Sequence, residues 1–248
     1  MPAWLPSSLS ENEHLAFIGE TPWPPAQITP TEAHAILASR NPTGRPNADV
    51  VRHLLGCQNE RRNESIQIDF PHYFNAREAA LYTKPFARLT QNKIFPWQNP
   101  NAKIEMRAAL AKLERYLATP TDLTTPSWDW VEIDLLPDRT LLAVARDDDF
   151  THGVLQSNVF QIWWRQWQPS LPGIEIVASF PFPWPPATTL SALSRAQEEH
   201  RLAIARAARS GAQASLDVAI VAAYGWPNEI SDDAAMAKLD ALHRRRIR

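Results

Sequence analysis

The residues of this 248-residue chain that could carry chemistry are few, and their spacing excludes most of it. The run Asp147-Asp148-Asp149 has the ligand type that Mg2+ prefers. Consecutive residues on a helix point to different sides, however, and acids sit well at a helix start, so the run reads better as a cap than as a metal site. Asp134 and Asp138 lack the downstream Glu-x-Lys that a metal-dependent nuclease would set beside them. Cys57 follows His53 by four positions, within reach on one helix face, but Gly56 should end that helix and leave Cys57 a plain small side chain. The seven His are scattered, without a His-Glu-x-x-His pair. Methylation of an exocyclic amine wants Asp/Asn-Pro-Pro-aromatic, whereas Pro24-Pro25 and Pro185-Pro186 each follow Trp and precede Ala. The chain has only 7 Gly, and none builds a loop for a dinucleotide, for S-adenosylmethionine or for a nucleotide phosphate. No catalytic residue and no metal ligand set is therefore nominated.

What the sequence does supply is material for binding a polyanion. Net charge is only −2, yet it is segregated: residues 1–39 carry four acids and no Lys or Arg, and residues 40–117 carry 13 Lys or Arg against 7 acids. Residues 118–185 reverse this, with 3 against 9, and residues 186–248 carry 9 against 7. Segregation of this kind can steer a nucleic acid even when the total is near zero. The candidate phosphate contacts are Arg52, Arg61, Arg62, Lys103, Arg107, Lys112 and Arg115. The candidate base-edge groups are Thr121, Asp122, Thr124, Thr125 and Asp129, in a polar, Thr-rich loop. Ordinary surface placement is the expectation for about half of these twelve. Trp163, Trp164 and Trp167 could stack bases, but core packing is the favoured use; adjacent positions should leave at least one of them facing away from the core.

The elements that must position these groups follow from caps and periodicity. Residues 1–30 are Pro-rich and irregular. Thr29 and Glu32 form a capping box that opens a helix over 31–39, and Asn75 and Glu78 form another that opens a helix to about 88. Asn47 should cap a short helix over 47–55, while Ile66, Ile68 and Phe70 alternate as a strand. Met106, Leu110, Leu113 and Leu117 predict a helix over 103–117. Residues 128–135 and 140–145 should pair as a hairpin. A long helix begins at the acidic run, and 174–179 should be a strand. The segment 180–186 reads as a stiff Pro-rich linker. Three helices, over 188–209, 212–224 and 231–245, complete the chain. The fold class is α+β: a mixed α/β domain over 31–186, then a small all-α helical domain over 187–248. The hydrophobic content of 44% supports real cores, and a lone cysteine suits a reducing cytosol.

The order of short segments resembles the C-terminal half of MmeI-like (type IIL) restriction-modification enzymes and related adenine-specific DNA methyltransferases. The matching pieces are Asn41-Pro-Thr-Gly-Arg-Pro-Asn-Ala-Asp-Val-Val-Arg52, Ile66-Gln-Ile-Asp-Phe70, Arg77-Glu-Ala-Ala-Leu-Tyr82 with Pro85-Phe86, and Met106-Arg-Ala-Ala-Leu110. They continue through Arg115-Tyr-Leu-Ala-Thr-Pro120, Leu136-Pro-Asp138, Ala145-Arg-Asp-Asp-Asp-Phe150, Gly153-Val-Leu155, Phe180-Pro-Phe-Pro183 and Ala222-Ala-Tyr-Gly-Trp-Pro227. The resemblance implies a target-recognition domain followed by a helical domain, with base contacts around residues 119–129. It implies double-stranded DNA as a partner, a methyltransferase catalytic domain or subunit beside it, and S-adenosylmethionine bound by that catalytic part rather than by this chain. The chain departs from the pattern at Gly56-Cys57-Gln58-Asn59, where the family shows Asn-Gly and a small acidic turn. It departs again after Pro120, where the family is basic and this chain reads Thr121-Asp122-Leu123-Thr124-Thr125. Beginning after the catalytic core, the chain would be a split subunit, a truncated remnant or an excised piece. A nuclease using the acidic run and a protein-interaction module are the alternatives.

Overall fold

The structure, a computed structural model, describes residues 4–58, 61–94 and 98–247. In chain order its elements are β1 (Ala16–Ile18), β2 (Gln27–Ile28), α1 (Pro30–Leu37), β3 (Val51–Gln58), β4 (Arg61–Ile68), α2 (Ala76–Ala80), α3 (Thr83–Gln91), α4 (Ile104–Leu110) and β5 (Arg115–Pro120). There follow β6 (Asp129–Glu132), β7 (Leu135–Pro137), β8 (Leu141–Val144), α5 (Asp149–Gln156), α6 (Asn158–Trp167), α7 (Gly173–Ser179), α8 (Arg195–Ser210), α9 (Gln213–Ala223) and α10 (Asp232–Arg246). The fold is α+β, as the sequence predicts. One four-stranded sheet has the order β1-β8-β5-β6 and the other β2-β4-β3-β7.

The first sheet is the middle layer. Strands β5 and β8 alternate between two cores: Tyr116, Ala118, Leu141 and Ala143 meet Leu55, Cys57 and Met106 on one side, while Leu117, Leu142 and Val144 meet the helices on the other. Burial on both faces explains why Leu141–Val144 reads as a continuous apolar run rather than an alternation. A third cluster, built from Val50, Val51, Ile68, Phe70, Tyr82 and Leu89, seals the second sheet against α1, α2 and α3. Both predicted capping boxes form: the Thr29 hydroxyl accepts from the Glu32 backbone N–H at 3.2 Å, and the Asn75 side chain accepts from that of Glu78 at 3.1 Å. Each needs only residues three apart, so local sequence settles it.

Longer-range forces overturn several expectations. The helix predicted over 103–117 stops at Leu110, and Arg115–Pro120 becomes β5, because Tyr116 and Leu117 pair with Val131 and Trp130 and complete two cores at once. The helix predicted over 47–55 is a single 3-10 turn followed by β3. Gly56 permits that strand to run close beside Asp138, where a Cβ would collide with the carboxylate. Segments 128–135 and 140–145 do not pair with each other: β6 and β8 flank β5, and β7 leaves to join β3 in parallel. The predicted strand 174–179 is helix α7, whose Gly173 lies against the Trp164 ring so closely that a Cβ would have no room. The single helix predicted from the acidic run breaks at Ser157, which closes α5 through the Val154 carbonyl and caps α6 at the Phe160 N–H.

The helical half holds two more corrections. Phe180, Phe182 and Trp184 are 0%, 0% and 6% exposed, so the Pro-rich segment 180–186 is a core strap and not a linker. Trp163, Trp164 and Trp167 are all buried, none facing outward, because α6 is covered by α5, α7, α9 and α10. This cluster draws on both sides of residue 186, including Phe150, Val154, Ile204 and Leu239. The change of composition at 186 is therefore not a gap in packing. Among the described residues no helix is long and apolar enough to cross a membrane.

Candidate nucleic-acid interface

The β3–β4 hairpin and the loop 121–128 stand side by side. Arg61 and Arg62 open β4, and their side chains are exposed; Asn59 and Glu60 lie outside the described residues. Register places Arg62 opposite Cys57 and Asp129 opposite Ala118. The Arg62 guanidinium donates to the Asp129 carboxylate at 3.0 Å. Both side chains rim a cavity of about 380 Å³ walled by Leu55, Ala118, Leu123, Val131 and Leu141. Across the hairpin a second cavity, of about 580 Å³, is lined by Gln58, Asn63, Thr121, Asp122, Arg139 and Thr140.

The loop is anchored at its ends and open along its length. Thr121 donates its backbone N–H to the Thr140 carbonyl at 2.9 Å, and Ser127 donates its own to the Thr119 hydroxyl at 3.2 Å. Beneath it, Gln161 donates to the Pro126 carbonyl at 3.1 Å and Gln156 to the Trp128 carbonyl at 2.9 Å, while the Trp128 indole is buried. The Asp122, Thr124 and Thr125 side chains are exposed and form no hydrogen bond to another described residue. A rigid base with unspent polar groups is what reading an external partner requires.

The remaining nominated cations scatter. Arg107 is internal: its guanidinium holds Glu20 at 2.5 and 2.6 Å and also contacts Asp69, with both carboxylates buried. Burial pushes this guanidinium down, but the two carboxylates more than offset that and hold it above its ordinary pKa. Arg52 lies in the same region and donates to the carbonyls of Ala48 at 2.8 Å and Asp49 at 2.6 Å; burial pulls its pKa down. Lys103 donates to the Ile18 carbonyl at 2.8 Å. Arg115 stacks 3.8 Å over the Trp130 ring and pairs with Asp149 at 3.1 Å. Lys112 is exposed just past α4. The structure brings together only part of the nominated set: Arg62, Thr125 and Asp129 line the first cavity and Thr121 and Asp122 the second, while Arg61 and Thr124 are exposed on the same hairpin and loop.

The acidic run is engaged elsewhere. Asp148 caps α5, accepting from the Thr151 N–H at 2.8 Å, and pairs with Arg146 at 2.8 Å. Asp149 is held between Arg115 and Arg209. Among the described residues no group of three or more His, Cys, Asp or Glu is placed to hold a metal ion. His53 and Cys57 are both on β3, where four residues span about 13 Å, so their helical proximity does not arise. Sequence reasoning missed Asn63, Asn101 and Arg139 of the second cavity. Only the register of β3 with β4 and the turn at Asp138 bring them together, and no local signal announces either.

No protein-family model matches the chain, and a search of curated proteins finds no relative by sequence. The fold is similar to that of a solved structure described as the type IIL restriction-modification enzyme MmeI in complex with DNA, with a TM-score of 0.55 and 14% identity. The likeness covers 99% of this chain and 36% of that one, so this chain spans about a third of that enzyme's length. At this identity the likeness shows a shared fold.

Proposed function

We propose that this chain is a DNA target-recognition module serving an adenine methyltransferase of a restriction-modification system. In this reading it binds duplex DNA through the β3–β4 hairpin and the loop 121–128. The methylating groups and S-adenosylmethionine belong to a separate catalytic domain or subunit. The observation that carries the reading is the exposed Arg62–Asp129 contact beside an anchored loop whose Asp122, Thr124 and Thr125 side chains stand exposed and unpaired, in a fold similar to that of a DNA-bound restriction-modification enzyme. Arginines supply phosphate contacts, and the loop supplies hydroxyls and carboxylates for base edges.

The test is duplex binding across a salt series. Affinity should fall linearly on logarithmic axes as salt rises, and Arg61→Ala should flatten that line by about one phosphate's worth of slope. Arg107→Ala should act through folding instead, since its donors are occupied inside the protein. A response flat in salt, or no duplex binding at all, would falsify the proposal.

A further inference from the structure

The second cavity holds a carboxylate that the protein itself leaves half used. We infer that this cavity, of about 580 Å³, binds a small aliphatic amine through its primary ammonium group, with Asp138 as the counter-charge. The inference goes beyond the DNA-recognition reading and does not depend on it.

Asp138 follows β7 and is 7% exposed. Its backbone is pinned: its N–H donates to the Leu55 carbonyl at 2.7 Å, and its carbonyl accepts from the Leu141 N–H at 2.9 Å. The N-terminal segment lies against it, so closely that a Cβ on Gly19 would collide with the Asp138 carbonyl. The side chain is held as firmly. Its Oδ1 accepts from the Thr140 backbone N–H at 2.7 Å and from the Thr140 hydroxyl. Its Oδ2 has neither a hydrogen bond nor an ion pair among the described residues. A Cβ on Gly56 would meet this Oδ2 and the Asn63 Oδ1 together. A carboxylate oxygen and an amide oxygen thus share one spot, and no donor of the described residues serves either. Both residues line the cavity.

A buried carboxylate costs stability unless a cation or a set of donors reaches it. The turn alone needs no charge, since asparagine would offer Thr140 the same acceptor. Arg139 lines the same cavity, yet its exposed guanidinium makes no ion pair among the described residues. Two acceptors without a donor suit a cationic N–H group, and a primary ammonium brings three such donors. Asp122 and Asp138 against Arg139 leave the lining with surplus negative charge, which favours a cation. A divalent metal ion would draw on more carboxylates, and among the described residues no group of three or more His, Cys, Asp or Glu is placed to hold one. Pro22 and Pro24 give the carbon chain of an amine an apolar wall.

The experiment follows the thermal unfolding midpoint of the full chain against rising butylamine, with 1-butanol as the uncharged counterpart. Butylamine should raise the midpoint as it saturates the folded chain, and butanol should not. Asp138→Asn keeps the acceptor for Thr140 and removes the charge. Its own midpoint should stay level or rise, while its affinity for butylamine falls by about tenfold to a hundredfold. Asn63→Ala, at an exposed position, should weaken binding by about threefold to tenfold with its own midpoint unchanged, and it carries the test if Asp138→Asn does not fold. The inference fails if butanol acts as butylamine does, or if both variants keep the full butylamine shift. It fails equally if Ca2+ gives an Asp138-dependent shift where butylamine gives none. Duplex binding is measured separately, so each of these results leaves the DNA reading as it stands.

Discussion

Two arginine–carboxylate contacts in this molecule share their residue types and differ in burial and in the number of hydrogen bonds that hold them. Arg107 grips Glu20 at 2.5 Å, with Glu20 fully buried and Asp69 joining from the end of β4. Arg62 meets Asp129 at 3.0 Å with both side chains more than half exposed. Inside the protein, removing one partner strands a charge away from water, so the pair cannot be released and serves as a bolt between the N-terminal segment, α4 and β4. On the rim, water screens each partner and replaces it at small cost, so the same chemistry remains available to a ligand. Burial, and not residue type, separates an ion pair that is locked in place from one that stays open to solvent.

The contrast can be broken most forcefully from its buried side. Arg107→Ala leaves Glu20 and Asp69 uncompensated and should cost about 3–5 kcal/mol in urea unfolding. A loss below about 1 kcal/mol would mean that water reaches the site and that the two pairs are alike. Asp69→Asn removes only one of the two carboxylates and keeps Glu20 on Arg107, so the expected loss is about 1–3 kcal/mol by the same measurement.

Acidification probes burial elsewhere. Burial holds the imidazoles of His152 and His243 below the ordinary value of 6.5. The folded chain then binds fewer protons than the unfolded chain in the window beneath that value. The contribution is fully present above about pH 6.5 and is lost as pH falls below it. The urea midpoint should drop across that window, and His152→Gln with His243→Gln should shrink the drop; a drop unchanged in the double variant breaks the assignment. The smallest effect belongs to the exposed pair: Arg62→Ala should change stability by less than about 1 kcal/mol. A larger loss would move Arg62 into the structural class.

These residues also show where the sequence could be read and where it could not. The capping boxes at Thr29 and Asn75 depend on neighbours three positions away, and both appear as expected. Arg62 and Arg107 looked equivalent, because what distinguishes them is a carboxylate 67 residues distant in one case and 87 in the other. The helix over 103–117 satisfied its apolar spacing to Leu117, yet pairing with β6 and β8 claimed its last turns for a sheet. The loop expected over 119–129 was legible as polar, since turn composition is local, but its ends belong to β5 and β6, and Thr119, Pro126 and Trp128 are buried. That it would face Arg62 was not legible, because the parallel joining of β7 to β3 routes the chain there.

The tryptophans of the helical half carry a practical consequence. Trp128, Trp163, Trp164 and Trp167 are buried together, and their indole N–H groups have no hydrogen-bond partner. Fluorescence from such dry indoles is blue-shifted and moves to longer wavelength on contact with water. Emission therefore weights the core between the helices and the first sheet, with Trp23 set apart in the second sheet's core, whereas far-ultraviolet circular dichroism sums over the whole chain. Following both signals through one denaturant titration would show whether the sheets melt together with the helices or before them.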